Sequence, residues 1–185
     1  MIESTIQRYG LDFRLVDSVE DLETLRVFRN MPYVRQEMLC QAEIDAQTHQ
    51  KWFGLLDRSK NFNFIYGQGG TDIGTVNLKN VDTTAGIAEY GICVGNPSFL
   101  NNPLNIAALL FLYEYAFCDL SLQCLQAHIR STNKRAINMN LSLGFKLEDS
   151  TANRYCLTKN DYLKTQRRFA RLFLPATKPN MPVLR

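Results

Sequence analysis

One stretch, residues 89–145, constrains the fold more than any other. It opens with EYGICVGNP, passes through FLNNPLN, and enters an apolar helical run over 106–119 that ends in Tyr115-Ala116-Phe117-Cys118-Asp119. A short apolar segment follows at 122–129, and STNKRAINMNLSLGF closes the unit. Hydrophobic period assigns these pieces as strand, loop, helix, strand, helix and turn. A strand that feeds a helix through a short loop presents free backbone N–H groups at the helix start. The helix dipole favours negative charge there, so this loop is the expected place for an anionic ligand.

The remaining segments read as partners for this unit. Residues 11–16 alternate as a strand and end at Asp17-Ser18, a helix-capping pair. A helix from Val19 puts Val19, Leu22, Leu25 and Phe28 on one face. It stops near Asn30, because Pro32 disfavours helical geometry at Met31. A second helical piece is expected over 34–39, and a third from an Asp45 cap to about Arg58. The third carries a stripe of His49, Trp52, Phe53 and Leu56, a spacing that favours core packing for all four. Residues 61–66 alternate as a half-buried strand, and 67–70 form a turn. Segments 73–81 and 87–94 pair as an antiparallel hairpin through VDTTAG. A last hairpin joins 145–149 to 154–157, and a final helix covers 160–173 with Arg167, Arg168 and Arg171. No repeat or linker divides the chain, so 1–174 is read as one domain and Pro-rich 175–185 as an extended or disordered arm.

Composition narrows the class. With 185 residues, 45% hydrophobic and 11% aromatic, the chain supports one sizeable core. A net charge of +3 gives no argument for a nucleic-acid partner. Five scattered cysteines without a C-x-x-C read as reduced, mostly buried thiols, with no disulfide framework and no metal site. The stretch MIESTIQRYG has no apolar core of a signal peptide. The most apolar helix includes Glu114 and Asp119 and is too short to span a bilayer. The expectation is a soluble, cytoplasmic chain with no membrane partner.

Asn133, Ala136-Ile137 and Leu143-Gly144-Phe145 together resemble the N-x-x-A-I-x(6)-G-F pattern of the GNAT superfamily of acetyl-CoA-dependent N-acetyltransferases. Glu89-Tyr90-Gly91-Ile92 and the helix end Tyr115-Ala116-Phe117 resemble the same superfamily at the expected spacing. The resemblance implies an α/β (α+β) GNAT fold. Its mixed central sheet has six to seven strands, a splay between the fourth and fifth, and helices on both sides. It also implies acetyl-CoA as co-substrate, held along the backbone of Ile92, Cys93 and Val94, by Asn133 and Arg135, and by the loop Leu100-Asn101-Asn102-Pro103-Leu104-Asn105. That loop stands where the family usually has Q/R-x-x-G-x-G/A and differs at all three defined positions. Pro103 has no N–H, and Leu100 has no polar side chain. Asn140 stands where many members have a Tyr that protonates the leaving thiolate, a task its amide cannot perform. Glu89 would be the base, set against the reading of a solvated strand charge. Cys93 reads as packing.

The N-terminal part is similar to one branch of the superfamily. Phe28-Arg29-Asn30, Val34-Arg35-x-x-Met38 and His49-x-x-Trp52-Phe53 resemble the R-N…V-R…M…H-x-x-W segment of enzymes that acetylate the 4-amino group of UDP-linked amino sugars, as in the pseudaminic acid pathway. The resemblance spans residues 12–161. It implies Arg29 and Arg35 as diphosphate contacts and Trp52 or Phe53 as stacking groups. Asn30, Met38 and His49 belong to the same acceptor set. The partner expected is a small-molecule amine, carried on UDP, with a homodimer left open. The alternatives are a protein N-terminal or small-amine acetyltransferase, and a non-catalytic GNAT-like binding module.

Overall fold

The computed structural model describes residues 5–173. The element order is β1 (Ile6–Arg8), β2 (Leu11–Leu15), α1 (Val19–Asn30), α2 (Pro32–Arg35), α3 (Ala46–Leu55), β3 (Phe62–Gln68), β4 (Thr71–Asp82) and β5 (Ile87–Val94). Then come α4 (Leu104–Glu114), β6 (Cys124–His128), α5 (Lys134–Ser142), β7 (Lys146–Asp149), β8 (Arg154–Thr158) and α6 (Lys159–Phe173). The strands form one eight-stranded sheet in the order β1-β2-β3-β4-β5-β6-β8-β7. The extra strand relative to expectation is β1, three residues long and too short to leave a periodic signal. The expected arm at 175–185 lies outside the described residues.

Local chemistry sets the helix limits. Ser18 caps α1 by accepting from the Asp21 N–H at 3.0 Å, and Asp45 caps α3 through the Thr48 N–H at 2.8 Å. Pro32 starts a helix of its own, so α2 covers only Pro32–Arg35 and not 34–39. α4 continues into a π-helical turn at Tyr115–Asp119. Gly144 sits at φ +99°, a left-handed value that turns the chain out of α5. Phe145 then drops between Tyr90 and Tyr113, with ring centroids at 5.0 and 5.9 Å. That is the packing reason for the Gly-Phe pair.

Helix α4 is the middle of the core, with Ala107 to Tyr113 all buried. Phe111 stacks on Phe13 at 3.8 Å and meets Phe64 edge-on at 5.3 Å. A smaller cluster of Val16, Leu22, Leu25 and Ile65, with Phe53 against it, packs α1 and α3 on the other face. Because both faces are covered, β3 is buried on both sides from Asn63 to Gly67, rather than half-buried as its alternation suggested. Val19 departs from the expected apolar face and is exposed.

The sheet is antiparallel except where β5 meets β6. That parallel pairing lasts three residue pairs, Ile87↔Cys124, Ala88↔Leu125 and Glu89↔Gln126, after which the strands part. This is the expected splay, between strands four and five when β1 is left out of the count. Next to it, Cys124 and Cys156 lie diagonally across β6 and β8, with Cα atoms 6.4 Å apart, and are joined as a disulfide. This corrects the expectation of uniformly reduced thiols: pairing β6 with β8 brings together cysteines 32 residues apart in sequence. Cys40, Cys93 and Cys118 are free.

Candidate active site

The splay opens into a cleft of about 870 Å³ that runs from α1 and α3, across the face of β4 and β5, to β6 and α5. Its floor follows from strand register. Asn63, Asn77 and Gly91 occupy one row across β3, β4 and β5, with Thr75 opposite Cys93 and Lys79 opposite Glu89 in the adjacent rows. Asn63 and Thr75 are only 6% and 4% exposed. A Cβ on Gly91 would lie 2.9 Å from the Asn77 Oδ1, so glycine leaves room for that amide. The Asn77 Oδ1 is itself buried without a hydrogen-bond partner. An unmet buried acceptor costs about 1–3 kcal/mol. A ligand N–H or O–H would relieve it.

Of the residues expected from sequence, the cleft brings together Arg29, Met38, His49, Trp52, Glu89, Ile92, Cys93, Asn133 and Asn140. Glu89 accepts from Asn80 Nδ2 at 2.9 Å and stands on the same strand face as Gly91 and Cys93. Cys93 is buried with its thiol against the Phe28 carbonyl, and burial pushes its pKa up to about 12. It therefore stays a neutral thiol, as a packing role requires. Arg29 donates to the Cys40 carbonyl through Nη2, whereas Nη1 is buried without a partner. Desolvation lowers the Arg29 pKa, the cost of holding a cation in this wall. His49 is buried, stacks on Trp52 at 5.1 Å and has its pKa lowered by desolvation and by nearby Arg26. Trp52 is 39% exposed and lines the cleft, against the core role its spacing favoured.

Other expected residues have different work. Asn30 clamps Ile44 through both its amide atoms, at 2.7 and 3.0 Å. Arg35 pairs with Glu43 at 2.9 Å, and Phe53 packs in the small cluster; none of the three lines the cleft. Asn133 caps α5 by accepting from the Ala136 N–H at 2.9 Å, which leaves its amide nitrogen for a ligand. Asn140 is 2% exposed; its Oδ1 accepts from the Tyr90 hydroxyl and its Nδ2 donates to Ala136 O at 2.8 Å. It is thus a fixed structural amide under the splay. Val94, Arg135 and Leu100 to Asn105 lie outside the cleft lining. Sequence reasoning missed Asn63, Thr75, Asn77 and Lys79, whose common face exists only once three strands are in register.

The open edge is a second feature of the site. Gly95 N–H donates to Ile73 O, which continues the β4–β5 ladder and makes the odd-numbered residues of β5 its bonded partners. The backbone groups of Tyr90, Ile92 and Val94 therefore face the gap left by β6. Such an edge hydrogen-bonds an extended ligand arm carrying amides. Among the described residues no group of three His, Cys, Asp or Glu side chains could hold a metal ion, and no helix is long and apolar enough to cross a membrane.

The sheet's splay and open β5 edge give the site its shape, and the sequence shows the family it belongs to. The acetyltransferase (GNAT) domain family matches residues 11–146, and the chain belongs to that family of N-acetyltransferases, which use acetyl-CoA. Solved structures of similar fold include FdhC, a nucleotide-linked sugar GNAT, at 18% identity and a TM-score of 0.73, covering 91% of this chain and 98% of that one. Spermidine N-acetyltransferase from Vibrio cholerae, in complex with CoA and spermine, is 17% identical with a TM-score of 0.72, covering 83% and 98%. An uncharacterized protein from Bacillus halodurans is 15% identical with a TM-score of 0.73, covering 92% and 97%. At these identities the likeness is one of fold. No curated protein matches the chain in sequence.

Proposed function

We propose that the chain transfers an acetyl group from acetyl-CoA to the amine of a nucleotide-linked amino sugar. The observation that carries this reading is Arg29: a half-buried guanidinium whose Nη1 is itself buried and without a partner, in the same cleft wall as the exposed ring of Trp52. A diphosphate would satisfy the one and a base or sugar face the other. The amide and hydroxyl floor of Asn63, Thr75 and Asn77 suits sugar hydroxyls. The cleft's full charges balance, Arg29 and Lys79 against Glu37 and Glu89, whereas a polyamine calls for net negative charge. The similarity in fold to FdhC, a nucleotide-linked sugar GNAT, supports the same reading.

In this mechanism the neutral amine attacks the thioester carbonyl, the C–S bond breaks, and the thiolate leaves. Glu89, directly or through a water, takes the proton that the attacking nitrogen must lose. The open edge of β5 and the Asn133 amide hold the donor arm while this happens. UDP should raise the thermal midpoint, because a ligand at 100 times its Kd adds about 2.7 kcal/mol. Arg29→Ala should weaken that shift by tenfold or more in UDP concentration. An unaltered midpoint with UDP, together with acetylation of peptides, would favour the protein N-terminal acetyltransferase instead.

A further inference from the structure

A free amine of the chain itself stands inside the proposed active site. Lys79 is the lysine among the residues that line the cleft. It lies on β4 directly opposite Glu89 of β5, in the last register pair before the ladder shifts. Cross-strand partners share a face of the sheet, so both side chains leave the side that also carries Thr75 and Asn77. Lys79 is exposed, and its amine has no hydrogen bond or ion pair among the described residues. Lys60, Lys146 and Lys164, by contrast, each sit beside a carboxylate. The carboxylate that faces Lys79 is held by a different group, accepting from Asn80 Nδ2 at 2.9 Å.

Lysine has a flexible four-carbon stem, which spans more than one inter-strand spacing of about 4.8 Å. It can therefore carry its amine across β5 beside Glu89, over Gly91, which presents no side chain. The strand edge beyond is the one proposed to hold the donor. We propose that Lys79 is a self-acetylation site, taking the acetyl group of acetyl-CoA onto its own Nζ when no acceptor fills the cleft. This rests on the acetyl-CoA donor and on Glu89 as the base, and is independent of which acceptor the enzyme serves. The neutral lysine amine attacks the thioester carbonyl and a C–N bond forms. The C–S bond breaks and its electron pair leaves with the sulfur. The proton that the nitrogen loses passes to Glu89 and through solvent to the thiolate, so the products are an Nε-acetyl-lysine and CoA. Tethering makes the attack intramolecular, which offsets the lack of a pocket shaped for lysine. The product takes one positive charge out of the cleft and leaves Arg29 against Glu37 and Glu89.

The test is time-resolved peptide mass spectrometry of the full chain, incubated with isotopically labelled acetyl-CoA and no acceptor. Lys51 and Lys60, exposed and outside the cleft lining, report the uncatalysed background. Lys79 should gain the label about tenfold or more faster than either, at a rate per chain that stays the same when the protein is diluted. Glu89→Gln should slow labelling at Lys79 and leave Lys51 and Lys60 as they were. Lys79→Arg should remove the fast phase from the whole-chain mass. Labelling of Lys79 at the background rate, a rate that rises with protein concentration, an unaltered rate in Glu89→Gln, or a fast phase that survives Lys79→Arg overturns the proposal. Titration of the same chain with CoA separates the causes of failure. A folded chain that does not bind CoA overturns the donor reading along with the proposal, whereas one that binds CoA and leaves Lys79 at background overturns the proposal alone.

Discussion

At the scale of single residues, the site depends on a few side chains whose surroundings select what they can do. Cys93 looks like a nucleophile in a cleft, yet burial keeps its thiol neutral and its contact is a backbone carbonyl. Asn140 occupies a position of catalytic promise in the sequence pattern and is instead locked to Tyr90 and Ala136. Glu89 is the carboxylate left facing the cleft on β5, held by Asn80 and opposite Lys79. Glu89→Gln should keep the fold and the donor Kd while lowering kcat by roughly 10²–10⁴. A variant with the parent kcat would make Glu89 a strand charge held by Asn80 and nothing more.

At the scale of elements, the tightest joint in the cleft wall is between α1 and the end of β5. A Cβ on Gly95 would fall 1.9 Å from Cγ of Phe28, inside the ring's own volume. The same glycine accepts from the Tyr33 hydroxyl at 2.5 Å, so it fixes both α1 and α2. Gly95→Ala should therefore destabilise the protein by about 1–3 kcal/mol in urea unfolding and displace the wall that carries Arg29. Adding Phe28→Ala should recover part of that loss, giving a coupling that a double-mutant cycle reads directly. The sequence disclosed these elements wherever one local signal decided them. Ser18 and Asp45 are the expected caps, and Gly144 makes the expected turn after α5; Asn133, expected only as a ligand contact, caps α5 as well. It did not disclose features that need two distant segments at once. The polar row Asn63–Asn77–Gly91, the Cys124–Cys156 pair and the exposure of Trp52 all depend on register or docking. The loop at 100–105 shows the same limit: its departures from the family pattern were visible, whereas the internal bonding that replaces the pattern was not.

At the scale of the whole molecule, α6 is fastened to the sheet by Asp161. Its carboxylate accepts from Lys146 Nζ at 2.8 Å, Thr158 Oγ1 at 2.9 Å and Lys164 Nζ at 3.4 Å. The Lys146 hydrogen bond first, then that of Thr158, lowers its pKa from 3.8 to about 2. Because the folded value is the lower one, this contribution is complete above about pH 4 and is lost as pH falls towards 2. Asp161→Asn should flatten that part of the acid-unfolding curve and leave stability differences constant at higher pH. Acid titration followed by circular dichroism checks both statements; an unchanged acid limb would show that α6 does not depend on this charge. The parting of β5 from β6 has its own consequence for the chain as a whole. The strands β1 to β5 are neighbours in sequence order within the sheet, whereas β5 and β6 meet over three residue pairs with all of α4 between them. The closure of this helix-length crossover thus falls on a joint of only three residue pairs. The buried helix α4, which packs against β2, β4 and α6, supplies the cohesion that this joint gives up in order to stay open.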